Sequence, residues 1–330
     1  MIIGKFKNNH PFTLTLLVIV ALALWLDGFF LHQHTSLPQA NHAPLYTLLV
    51  GFFEQNTLLS VVLSFLFMIA QAFMFNAIVT DKNLVERNSK LPALMYIVLM
   101  SSSFNLFGMH PVWFANFFML IALSKMFEVF REEAVFIEIF NVGFFISLAS
   151  LFYFPALSLI LLFIASLIIY YLVNLRALLA SLIGLGLPYI FVALYYYWFN
   201  RLQEQWDTFA RLPFDAGLSS MQFVPFGWVS IIIIGFIGII AITRLYLGTL
   251  RDKPIRIRRR YNVLLVYLLI SIASVAFAGK HTIFHHGIIM LPLAGILAGF
   301  FQVNNRKMAN EILFTILLLL IVVGKLARLD

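Results

Sequence analysis

The strongest constraint on this chain is a recurring pattern: long apolar stretches, each closed by a short polar connection. Such windows occur near 12–31, 57–79, 91–107, 112–130, 135–153, 155–174, 177–199, 227–247, 261–279, 287–303 and 310–326. A helix needs roughly 20 mainly apolar residues to cross about 30 Å of hydrocarbon. The pattern therefore predicts an all-α, polytopic membrane protein with about eleven transmembrane helices. The stretch 44–54, Pro-Leu-Tyr-Thr-Leu-Leu-Val-Gly-Phe-Phe-Glu, is too short to cross and reads as an interfacial or re-entrant helix.

Composition points the same way. Of the 330 residues, 62% are hydrophobic and 11% charged, against about 45–50% and about 25% in an ordinary soluble domain. Too little polar surface exists to cover a water-soluble globule, which excludes a cytosolic enzyme, a disordered chain and a nucleic-acid binder. Cysteine is absent, so the chain has no disulfide framework, thiolate metal site or cysteine nucleophile. No Gly-rich phosphate loop, dinucleotide fingerprint or Gly-x-Ser-x-Gly elbow occurs. Any chemistry belongs to a membrane-embedded site.

The net charge of +8 is informative through its distribution, because cytoplasmic loops of membrane proteins accumulate Lys and Arg. With the N-terminus inside, inner segments hold Lys5, Lys7, Lys82, Arg87, Lys90, Lys125, Arg131, Arg176, Arg244, Arg251, Lys253, Arg256, Arg258, Arg259, Arg260, Arg306 and Lys307. Outer segments hold Arg201, Arg211, Lys280, Lys325 and Arg328. This 17-to-5 split predicts a multi-pass protein of the bacterial inner membrane, N-terminus cytoplasmic and C-terminus periplasmic. Lys5 and Lys7 before an apolar run resemble a secretory leader, but no Ala-x-Ala site follows, so a retained first helix is expected. The run 251–260 reads as a positive-inside anchor on anionic headgroups, with a dedicated lipid-phosphate site as the alternative.

In this frame seven of the eight histidines face outward: His32, His34, His42, His110, His281, His285 and His286; only His10 is inside. Asp27, Glu54, Glu204, Asp207 and Asp215 join them. Groups suited to acid–base work thus collect on one face. Asp27 follows a nearly unbroken apolar run, must reach water or a partner, and is suited to general-base work; a plain helix-end residue is the competing reading. Glu54, after the short helix, carries the same ambiguity. His281 and His285 have the i, i+4 spacing that can bind zinc, yet no Glu follows His281 as in a metalloprotease helix. No cofactor is expected, and a divalent metal has little support. Gln71, Asn76, Asn105, Asn116, Glu138 and Asn141 read as interhelical glue, with Glu138 paired to Arg131. Tyr195, Tyr196, Tyr197 and Trp198 read as an interfacial aromatic belt.

From 12 to about 175 the order of features resembles the module of the type-C glycosyltransferases, which use polyprenyl-phosphate sugars. The matching elements are Asp27, then His42-Ala43-Pro44-Leu45-Tyr46 opening the 44–54 segment, and the short turn Met109-His110-Pro111 before a Phe-rich helix. The stretch Leu148 to Pro155 and, later, His285-His286-Gly287 through Leu291-Pro292-Leu293-Ala294 follow. The chain departs from that pattern where Gly28 and Phe29 replace a second acidic residue, and where Tyr153 replaces a basic one. It also resembles an uncharacterised family of bacterial inner-membrane proteins of similar length. The glycosyltransferase resemblance implies that Asp27 activates an acceptor hydroxyl and that Lys280 or a nearby histidine meets the donor phosphate. It places His42, Tyr46, Glu54, His110, His281, His285 and His286 near the substrate.

The expectation is thus a single integral membrane domain: a type-C-like module over 1–175, then the remaining helices with an outer loop at 200–226. Its expected partners are membrane lipids, a polyprenyl-linked substrate and envelope-complex proteins, and no nucleic acid. Two other classes fit the same residues: a non-catalytic lipid- or partner-binding subunit of an envelope complex, and a small-solute transporter.

Overall fold

Apolar runs free of interior charge satisfy their backbone groups by coiling, and that is how this chain folds. The computed structural model describes residues 2–7, 12–30, 43–102, 106–129, 135–203, 206, 225–278, 282–303 and 307–326. Within them the helices are α1 (Ile2–Lys7), α2 (Thr13–Phe30), α3 (Thr47–Gln55), α4 (Thr57–Asp81), α5 (Leu91–Met100), α6 (Pro111–Glu128) and α7 (Val135–Phe152). There follow α8 (Ile160–Tyr170), α9 (Leu175–Trp198), α10 (Pro225–Leu247), α11 (Ile255–Ala273), α12 (Thr282–Val303) and α13 (Lys307–Leu326). Short 3₁₀ turns precede α8 at Phe154–Leu159 and extend α11 at Ser274–Phe277. The regular structure described is entirely helical.

Each expected apolar window holds a helix, but the helices are unequal. Six are long and apolar enough to cross a membrane: α2, α4, α7, α9, the run Ile255–Phe277, and Phe284–Val303 of α12. Such a set is that of a multi-pass membrane protein. The window 91–107 is the clearest correction, because its helix stops at Met100 and rises only about 15 Å. All ten residues of α5 are buried, so protein rather than lipid surrounds it, and there irregular backbone is tolerated. The 44–54 expectation corresponds to α3, which begins three residues later, after a turn at Pro44–Tyr46.

α5 and α12 form the centre. They pack on one another, with α4 and α6 beside them and α11 and α10 against α12. In α12, 83% of Phe284–Val303 is buried, against 28% of α9; a helix apolar all round belongs inside. α9 instead packs along α7 at the periphery. Lipid offers no hydrophobic drive between helices, so small residues set this contact. A Cβ on Gly143 would fall 2.6 Å from the Ser181 carbonyl oxygen, and one on Gly184 would overlap the Phe140 carbonyl.

Contacts sort the connections into two ends. At one end, Lys82 bridges to Glu128 at 2.9 Å, and Lys125 joins Glu128 at 2.9 Å and Glu138 at 3.2 Å. Lys125 is therefore the partner of Glu138 here; Arg131 lies outside the described residues. Arg260 donates to the carbonyls of Lys82 at 2.6 Å and Phe127 at 3.2 Å, and Tyr261 Oη donates to Leu84 at 2.8 Å. α4 stops here because Asn83 turns left-handed (φ 57°). The N–H groups of Asn83 and Leu84 then bond back to Thr80 and Val79, which closes the helix. The opposite end carries Asp27.

Candidate functional site at the Asp27 end

The segment Leu106–Val112, between α5 and α6, is the hub of this end. Gly108 adopts φ 107°, a conformation that suits glycine, and its carbonyl accepts from Trp113 Nε1 at 3.1 Å. Ser60 and Ser64 of α4 hold the segment from below: their Oγ atoms accept from the N–H of Met109 at 2.7 Å and of Gly108 at 3.2 Å. Their i, i+4 spacing, visible in the sequence, puts both hydroxyls on one face.

Asp27 stands half-buried in the last turn of α2, beside this hub. Its neighbour Trp25 is fully buried, packs on Phe107 at 4.6 Å and Trp113 at 6.1 Å, and donates from Nε1 to Ser101 Oγ at 3.0 Å. A side chain on Gly28 would meet the Phe107 ring at 2.9 Å. The end of α2 is thereby pinned, and the carboxyl is carried on a rigid base.

Tyr46 reaches the hub from the other side, where its Oη donates to the Met109 carbonyl at 3.0 Å. Burial, reinforced by the Glu54 carboxylate, pushes the Tyr46 phenol well above its ordinary value, so it is a permanent donor. Glu54 itself is exposed on α3. The turn before α3 is tied down twice: Leu45 N–H donates to the Leu151 carbonyl at 3.1 Å, and Tyr196 Oη donates to the Pro44 carbonyl at 2.9 Å. Tyr196 is accordingly an internal anchor, while Tyr195, Tyr197 and Trp198 are exposed as the belt expectation requires.

Two histidines are structural. His110 is fully buried, with its ring stacked on Phe284 at 4.3 Å. His285 is also fully buried and sits within reach of three partners. Its Nε2 lies 3.0 Å from the Ser271 carbonyl and 2.9 Å from Ser274 Oγ, and its Nδ1 lies 3.0 Å from Tyr153 Oη. A carbonyl only accepts, so Nε2 carries the proton and Nδ1 accepts from the Tyr153 hydroxyl. The ring ties α12 to α11 and to the turn after α7. Tyr153, one of the chain's departures from the resembled pattern, is engaged in this bond. His286 is half-buried. Nearby, Asn116 Nδ2 donates to the Gly287 carbonyl at 3.0 Å, and Gln71 links Tyr96 to the Trp113 carbonyl, the interhelical glue the sequence predicts.

The structure thus brings Asp27, Tyr46, His110, His285 and His286 to one end, around Leu106–Val112. His42, Lys280 and His281 lie outside the described residues, as do His10, His32 and His34. The i, i+4 pair His281/His285 therefore has one described member, already engaged. Among the described residues no group of three His, Asp or Glu could hold a metal ion.

An apolar groove of about 270 Å³ opens beside the tethered turn. Its walls are Pro44, Leu151, Tyr189, Ala193, Tyr196 and Trp206. At its floor Tyr189 Oη meets Ser150 Oγ at 2.6 Å.

No curated protein and no solved structure matches the chain. A family profile, described as a family of unknown function (DUF6427), matches residues 45–329, which takes in every described helix from α3 onward. The chain belongs to the DUF6427 family.

Proposed function

We propose that this protein is a type-C-like glycosyltransferase of the bacterial inner membrane. In this reading the six long apolar helices cross the membrane, and the Asp27 end faces the periplasm. The donor is a sugar on a polyprenyl phosphate. Asp27 takes the proton of an acceptor hydroxyl while its oxygen bonds to the anomeric carbon; the bond from that carbon to the phosphate oxygen breaks, and polyprenyl phosphate leaves with the electron pair. A positioned base of this kind contributes typically about 10²–10⁴-fold in rate. Arg201, exposed beside groove-lining Leu202, and Lys280 are the cations suited to the leaving phosphate.

One observation carries the reading. The rigid carboxyl-bearing end of α2 and the mouth of an apolar groove are joined through a single hub by the Tyr46–Met109 and Tyr196–Pro44 bonds. A long isoprenoid needs the groove, and the reacting hydroxyl needs the carboxylate. The test is transfer from a radiolabelled polyprenyl-phosphate sugar by the purified chain. Asp27→Asn should lower transfer by at least about 100-fold with an unchanged melting temperature. Transfer unaffected by that substitution sinks the base assignment.

A second reading has its own support. Among the described residues, His110 and His285 are committed to packing and hydrogen bonds, so these two histidines are not presented to a substrate. That favours a non-catalytic subunit of an envelope complex, which would bind a polyprenyl lipid in the groove yet transfer nothing.

A further inference from the structure

The opposite end holds a second cavity, of about 310 Å³, between the end of α4, the end of α6 and the start of α11. Asp81, Lys82, Asn83, Arg256 and Arg260 supply its polar wall, and Phe127 and Ile257 an apolar one. We propose that it holds the phosphate of an anionic phospholipid headgroup from the adjoining leaflet.

Three features support this. First, charge: within 251–260 six basic residues oppose the one carboxylate of Asp252. Lys82, Arg256 and Arg260 line the cavity beside the single carboxylate of Asp81, so its wall is basic and suits the negative charge of a phosphodiester. Second, preorganisation: Arg260 is fixed by its bonds to the Lys82 and Phe127 carbonyls, so its guanidinium loses little freedom when an anion arrives. Third, the mixed wall: Phe127 and Ile257 offer an apolar surface to glycerol and the first methylenes, which inorganic phosphate would leave unused. Basic pockets between helices at a membrane surface bind headgroups in this way. The proposal is independent of any chemistry at Asp27.

The probes are dioctanoyl phosphatidylglycerol, dioctanoyl phosphatidylcholine and inorganic phosphate, each titrated against the full chain in neutral detergent by native mass spectrometry. Phosphatidylglycerol should bind more tightly than phosphatidylcholine, by about fivefold or more. Arg256→Gln should weaken it by about fivefold, Arg256→Lys should restore most of the loss, and Arg251→Gln, outside the cavity, should leave binding within about twofold. Arg260 is spared because its loss removes two backbone ties. Equal binding of the two lipids overturns the proposal, as does an Arg256→Gln chain that melts normally and binds as before. Inorganic phosphate that displaces the lipid at equal concentration overturns the lipid source.

Discussion

The two ends of the bundle are built from different chemistry. Around Asp27 the backbone is held by neutral donors and acceptors: Ser60 and Ser64 on Met109 and Gly108, Tyr46 on Met109, Tyr153 and two serines on His285. Around Lys82 the same task falls to ions: Lys82, Lys125, Glu128 and Glu138 in a chain, and Arg260 clamped on carbonyls. The difference teaches where specificity can reside. Neutral bonds fix the geometry beside Asp27, whereas at the Lys82 end the ties are themselves charged.

The largest expected effect lies at the ionic end. A methyl on Gly299 would overlap the Tyr261 hydroxyl and displace it from the Leu84 carbonyl. Gly299→Ala should therefore cost about 3 kcal/mol, from overpacking and a lost buried bond together. Equilibrium unfolding in mixed micelles measures this, and a cost below ~1 kcal/mol would mean that Tyr261 does not brace the end of α4.

Tyr153→Phe comes next and probes the neutral end. It leaves His285 Nδ1 buried without a donor, at a cost of about 1–2 kcal/mol. Hydrogen exchange should quicken at the start of α12 and after α7, with the Lys82 end unchanged. Equal quickening at both ends would erase the comparison.

Asn174→Ala should cost about 1 kcal/mol, since the Asn174 side chain accepts from Ala177 N–H at 2.7 Å and caps α9. Exchange should rise in the first turn of α9 alone.

The smallest effect follows pH. Lys125 and Glu128 stand in the last turn of α6, past its apolar stretch Val112–Leu123. Burial pushes the Glu128 carboxyl up, but the Lys82 and Lys125 ammonium groups outweigh it and hold it below the ordinary carboxylate range. Lys125 is raised, chiefly by its bond to Glu128. A lowered carboxylate contributes stability above its unfolded value, about 4.3, and that contribution is lost as pH falls through the lower folded value. A raised ammonium contributes below about 10.4 and loses its part as pH climbs through the folded value. The pair is whole between these limits and, being partly solvated, is worth under ~1 kcal/mol. Proteolysis near Lys82 should quicken at acid pH, and Lys82→Met should flatten that response.

Much of the fold is legible in the chain, because burial in lipid rewards long apolar runs and nothing else: α2, α4, α7 and α9 begin and end within a few residues of their windows. α5 escapes the reading because apolar composition cannot separate a helix facing lipid from one surrounded by protein, and Leu91–Met100 is the second kind. The Lys and Arg pattern leads one to expect Asp27, Tyr46 and His110 on one face, and the structure brings the three to one end of the bundle. The internal roles of His285 and Tyr153 do not follow, since a histidine at a helix start looks the same whether it meets water or, as here, Ser271, Ser274 and Tyr153 from distant segments.

The central claim is that the Asp27 end faces outward and the Lys82 end faces the cytosol. The chain has no cysteine, so single cysteines report without background. Glu54→Cys and Arg251→Cys, both at exposed positions, should be labelled in spheroplasts with a membrane-impermeant maleimide. The account predicts that position 54 is labelled in intact spheroplasts and position 251 only after permeabilisation; the reverse pattern would contradict it and put Asp27 out of reach of a periplasmic substrate.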